Sequence, residues 1–95
     1  MSAYIVVEVD VKDPVRFEEY RSLVTPTLKP YGGRYIVRGG EVQNLEGDWL
    51  PARLVVIEFD SAEQAGAWYA SEEYAPAKTI RQASADTEMI LVEGI

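Results

Sequence analysis

Three observations in this 95-residue chain predict an α+β fold. Four β-branched, largely apolar runs alternate with two segments whose apolar residues recur at helical spacing. Each helical segment opens on a capping signal, Asp13-Pro14 in one case and Ser61-Ala62-Glu63-Gln64 in the other. Linkers, strong internal repeats and low-complexity stretches are missing, so a single domain over residues 1–95 is expected.

The run AYIVVEVDV, Ala3 to Val11, reads as the first strand. Asp13 caps a helix with Pro14 at its first position, and Phe17, Tyr20, Leu23, Val24 and Leu28 mark its apolar face. Pro26 is expected to kink or shorten that helix, and Pro30-Tyr31-Gly32-Gly33 to end it. Arg34 to Arg38 reads as the second strand. Gly39-Gly40 permits a bulge or bend after it, with Glu41 to Leu45 as a continuation. Glu46-Gly47-Asp48 is turn chemistry, and RLVVIEFD, Arg53 to Asp60, is the third strand. The second helix follows, with Ala65, Trp68 and Tyr69 on its buried side. Ser71 and Pro76 break it before a short helical piece that runs to about Ala83. Thr87 to Val92 is the last strand. The order β-α-β-β-α-β is the ferredoxin-like split βαβ arrangement: a four-stranded antiparallel sheet with both helices on one face.

A sheet face open to water should alternate with polar residues. Here both sides of three strands are apolar: Ile5, Val7 and Val9 alternate with Tyr4, Val6 and Glu8, and Val55, Ile57 and Phe59 with Leu54, Val56 and Glu58. Ile90 and Val92 likewise alternate with Met89 and Leu91. A second copy on a two-fold axis is the simplest cover, giving a homodimer that closes as a dimeric α+β barrel. About 800 Å² per partner would make such an interface stable.

The opening AYIVVEVDVKDP, the run YGGRYIVRGGEV, the block WLPARLVVIEFDSAEQAGAWYASEEY and the closing MILVEG together resemble the domain of unknown function 1330 family over nearly the whole chain. The resemblance implies the dimeric α+β barrel and leaves the activity open. Relatives on that fold include monooxygenases without cofactors, lactone isomerases, decarboxylases and ligand-binding members, an analogy of fold alone.

Composition narrows the chemistry. With no Cys and no His, the chain lacks thiolate chemistry, the commonest neutral-pH base and the commonest metal ligand. The acids are too sparse for an oxygen-ligand metal site, and no phosphate-loop motif is present, so no metal and no cofactor are expected. A formal charge of −7 argues against nucleic acid and anionic membrane as partners. No apolar stretch approaches the ~20 residues of a membrane span, and no signal peptide is expected, which points to the cytoplasm.

Against this acidic background the arginines stand out. By strict alternation Arg34, Ile36 and Arg38 share one side of the second strand, Tyr35 and Val37 the other, and Arg53 approaches Arg38 from the next strand. Arg34, Arg38 and Arg53 are candidates to hold a carboxylate or phosphate, because the guanidinium fork binds such groups bidentately. Tyr20, Tyr31, Tyr69 and Tyr74 are candidates to line the same pocket, while Phe17 and Trp68 read as core. The competing reading pairs the arginines with Glu8, Glu41 or Glu58. Glu8 or Glu58, if buried beside apolar strand residues, would be the candidate base. Trp49-Leu50-Pro51 reads as a stiff loop, either a lid or a dimer contact. Two functions therefore stay open. One is a small-molecule site for a carboxylate-bearing metabolite between sheet and helices, catalytic or merely binding. The other is a non-enzymatic dimer module whose Arg/Glu pairs serve the interface.

Overall fold

A computed structural model describes residues 1–95. Strand β1 (Ala3–Val11) leads into helix α1 (Pro14–Leu28), then strands β2 (Arg34–Arg38) and β3 (Leu54–Phe59). Helices α2 (Ala62–Tyr69) and α3 (Ala75–Ser84) follow, and strand β4 (Ala85–Glu93) ends the fold. The sheet order is β2-β3-β1-β4 with every pair antiparallel, the ferredoxin-like α+β arrangement. Here α2 and α3 share the place of one second helix.

The caps form as their chemistry dictates. The Arg16 N–H donates to Asp13 Oδ1 at 3.2 Å, with Pro14 in the first turn. At α2 the Gln64 N–H donates to Ser61 Oγ, and Ser61 Oγ donates to Gln64 Oε1, both at 3.1 Å. Ser71 closes the break between α2 and α3: its Oγ donates to the Trp68 carbonyl at 2.7 Å and accepts from the Tyr74 N–H at 3.1 Å.

Two boundaries differ from expectation. Helix α1 runs through Pro26 to Leu28. Pro26 lies in the last turn, where it removes only the bond to Ser22, and both residues are on the exposed side, within reach of water. Strand β2 stops at Arg38 and does not continue over Glu41 to Leu45. Gly39 turns the chain at φ +72°, and its N–H donates to the Leu54 carbonyl at 2.9 Å. Beyond that bond β2, an edge strand, has no partner to extend along.

Ala3, Ile5, Val7 and Val9 of β1 pack with Ile57 and Phe59 of β3 beneath the helices. Trp68 is fully buried; its indole N–H donates to Thr27 Oγ1 at 3.0 Å and its ring lies against Phe59 and Tyr74. Leu23 and Tyr69, both expected on buried faces, are 42% and 37% exposed. The opposite face carries Tyr4, Val6, Val56, Val37, Ile90 and Val92 with no helix over them, and Ile90 is 61% exposed. Toward one end this face turns acidic: Glu8 opposes Glu88 and Asp10 opposes Asp86, with Lys12 Nζ 2.9 Å from Asp10.

Gly33 carries the chain into β2 directly over the core. A Cβ there would sit 2.7 Å from the buried Phe59 ring and 3.1 Å from Leu28. Its backbone is not in the left-handed region, so the demand is purely steric. Gly33→Ala should therefore lose about 1–3 kcal/mol by overpacking, read as a lower denaturant midpoint at unchanged slope.

Candidate functional site

A cavity of about 40 Å³ lies between the inner sheet face and α1, closed at one end by α3. Its wall is aliphatic and aromatic, with Val7, Val55 and Ile57 from the sheet and Phe17 and Val24 from α1. Into it come Arg21 from α1, Arg38 from β2, Arg53 from the end of the 39–53 loop and Arg81 from α3. Four of the nine Lys and Arg residues thus meet at one cavity, and no Asp or Glu lines it.

The second strand reaches this arrangement through a bulge. Tyr35 pairs with Ile57 and Val37 with Val56, so Ile36 is the extra residue. Strict alternation is broken there, which corrects the expectation that Arg34 and Arg38 share a side. Arg38, opposite Val55, turns to the helix side with Tyr35, and its guanidinium lies 4.5 Å from the Tyr35 ring centre. Arg34, opposite Glu58, stays on the open face. There its Nε donates to Glu58 at 3.0 Å, its Nη2 to Asp60 at 3.2 Å and its Nη1 to the Gly32 carbonyl at 3.2 Å. The Asp60 hydrogen bond, helped by Glu58, raises the Arg34 pKa further above its ordinary value. Half exposed and screened by solvent, this ion pair contributes little to stability.

Arg53 is placed by Gly39. A Cβ on Gly39 would lie 2.7 Å from the Arg53 guanidinium carbon, so the side chain crosses the bare backbone of the turn. Arg81, at 3% exposure, is the buried member. Its Nε donates to the Tyr74 hydroxyl at 3.1 Å and its Nη1 to Thr87 Oγ1, and no carboxylate pairs with it. Of the four arginines only Arg21 has an ion-pair partner, Glu18 at 3.5 Å. A buried cation ordinarily comes with an acid; here only neutral oxygens meet it.

The tyrosines divide. Tyr20 lines the cavity, and its hydroxyl lies 3.2 Å from that of Tyr74, which is fully buried behind it. Tyr31 points away and donates to both Glu73 oxygens at 3.1 Å. Tyr69 sits outside under Lys78, whose Nζ is 4.3 Å from the ring centre. Glu8 and Glu58 are on the open face and supply no base to the cavity. Trp49 and Leu50 are exposed in the loop, while Pro51 is buried. Sequence reasoning missed Arg21 and Arg81. The signal for Arg81 was its place in the stripe Tyr74, Ala77, Arg81, Ser84, where helical spacing predicts burial.

A four-stranded antiparallel sheet with helices on one face, over an arginine-lined hollow, defines a ferredoxin-like α+β protein. The chain belongs to the family described as domain of unknown function DUF1330, whose model matches residues 2–95. Its fold is shared by a protein of unknown function from Rhodopseudomonas palustris, at 17% identity and TM-score 0.78 over 99% of this chain and 82% of that one. SnoaB, a cofactor-independent oxygenase from Streptomyces nogalater, is similar at 15% identity and TM-score 0.70, over 99% and 93%. A dimeric ferredoxin-like protein of unknown function from Thermobifida fusca matches at 16% identity and TM-score 0.69, over 99% and 92%. No curated protein has a significantly similar sequence. None of the helices is long and apolar enough to cross a membrane.

Burial, followed by the neighbouring Tyr74, pushes the Tyr20 pKa far above its ordinary value near 10, and burial also raises Tyr35. A proton held more tightly by the folded state stabilises the fold fully below pH 10, where the unfolded tyrosines also stay protonated. As pH rises past 10 the unfolded chain releases those protons first, so stability falls with pH. Titration of tyrosinate absorbance should show Tyr20 ionising only together with the loss of near-ultraviolet circular dichroism. Reversible ionisation of all six tyrosines near pH 10 in folded protein would contradict the burial of this pair.

Proposed function

We propose that the protein is a cytoplasmic homodimer that binds, and in one version transforms, a small carboxylate-bearing metabolite in the cavity between sheet and helices. The observation that carries this reading is the convergence of Arg21, Arg38, Arg53 and Arg81 on a hollow without a single lining acid, in a chain of net charge −7. Like charges gathered round one hollow repel each other, the more so where water is excluded. An anion relieves that repulsion and gains bidentate hydrogen bonds. The graded exposure of the arginines suits entry: Arg21 and Arg38 are exposed at the mouth, Arg53 is half-buried, and Arg81 is at the floor. Arg38, Arg53 and Tyr20 are retained from the sequence-based set, with Tyr74 behind Tyr20 and outside the lining. Arg34, Tyr31 and Tyr69 have partners elsewhere and take no part in it.

The reading is tested by melting the protein in acetate or benzoate against chloride at equal ionic strength. A ligand at a hundred times its dissociation constant adds about 2.7 kcal/mol to stability. Both carboxylates should raise Tm above chloride, and Arg38→Ala should lose most of that rise while keeping the mass of the native assembly. Equal melting in all three salts would sink the proposal.

A second reading rests on the Arg34–Glu58–Asp60 cluster, which lies on the open face beside Val37 and Val56. It gives the chain an interface role alone, with the second copy packed on that face. The dimeric description of the Thermobifida fusca relative supports the assembly. Sedimentation should give twice the chain mass at micromolar concentration, and Ile90→Asp should yield single subunits. A monomer in the unmodified protein would remove the assembly from both readings.

A further inference from the structure

The hydroxyls behind Arg81 form a chain whose direction is fixed by counting protons. Arg81 Nε can only donate, so the Tyr74 oxygen accepts from it at 3.1 Å. The Tyr74 proton then needs an acceptor, and the Tyr20 oxygen at 3.2 Å is the one within reach. If Tyr20 donated to Tyr74 instead, the proton of a fully buried hydroxyl would have no partner. The order is therefore Arg81 to Tyr74 to Tyr20, and the Tyr20 proton is left over. Tyr20 makes no other hydrogen bond to protein, and of the two tyrosines it alone lines the cavity. A charged donor at the head of such a chain polarises each bond after it and fixes the direction in which the protons point.

We infer that the ligand is a 2-oxo or 2-hydroxy acid: its carboxylate meets the arginines, and its adjoining oxygen accepts the free proton of Tyr20. This rests on the reading of the cavity as a carboxylate site and adds what stands next to the acid. The size agrees. A hollow of about 40 Å³ admits only the small polar end of a ligand, while the rest of the molecule lies toward the mouth. A plain carboxylate would leave the Tyr20 donor facing an alkyl group. A site built around such a donor discriminates against ligands that lack the acceptor. Tyr20 is thus a specificity-determining residue, and Tyr74 and Arg81 orient it.

The experiment is calorimetric titration of the intact chain with pyruvate, lactate and propionate, three acids of equal carbon count, at constant ionic strength. Pyruvate and lactate should bind about tenfold tighter than propionate, as one neutral hydrogen bond at the upper end of its usual range implies. Tyr20→Phe, which keeps the ring, should bring all three to the propionate value. Tyr74→Phe should narrow the gap without touching the cavity wall. Propionate binding as tightly as pyruvate and lactate in the unmodified protein would overturn the inference and leave the carboxylate site standing. A gap that survives in Tyr20→Phe would do the same. Failure of all three acids to bind, together with equal melting in acetate and chloride, would remove the carboxylate site itself.

Discussion

A guanidinium held in the interior by two neutral oxygens organises this protein. Arg81 joins α3 to β4 through Thr87 and to α1 through the Tyr74–Tyr20 pair. Two consecutive elements and one distant in sequence therefore meet at one cation. Burying a charge without an acid is costly, and the cost is moderated here by hydrogen bonds and by an opening toward solvent on the cavity side. A carboxylate of the protein in that place would have satisfied the arginine and filled the hollow. Leaving it out keeps a positive potential inside a chain whose surface is otherwise dominated by acids.

The two faces of the sheet divide the remaining work, and the bulge at Ile36 makes the division. Without it Arg38 would lie on the open face with Arg34, away from the cavity. With it, one arginine is committed to Glu58 and Asp60 and the other to the Tyr35 ring and the cavity. One extra residue in an edge strand thus separates an ion-paired arginine from one that lines the cavity. The uncovered face carries apolar side chains on all four strands, with Val37, Ile90 and Val92 exposed.

Much of this was legible in the sequence. Capping signals at Asp13-Pro14 and Ser61-Gln64 placed both helices, and two-sided apolar strands separated this sheet from one with a wetted face. The arginines of the 34–38 run were recognisable as unusual, yet alternation assigned Arg38 to the wrong side. A bulge depends on the partner strand's register, which a single strand does not encode; Gly39-Gly40 drew attention a few residues too late. Arg81 was hidden by a different habit, since charged residues on a short amphipathic helix are normally solvated. Glu41 to Leu45 carries strand-forming residues but meets no neighbour, and propensity without a partner does not make a strand. Tyr74 is enclosed by Trp68 nearby and by Tyr20 of α1, and the second of these contacts lies far away in the chain.

The loop between β2 and β3 is tied off at its base. The Gly39 N–H meets the Leu54 carbonyl, Arg53 lies across Gly39, and Pro51 is buried, while farther out Asn44 clasps the Trp49 carbonyl at 2.6 Å. Its tip is thereby mechanically isolated from the arginines. Natural variation can lengthen, shorten or recolour that tip while the guanidinium below keeps its place. The same isolation makes it a convenient graft point for a fluorophore or an affinity handle.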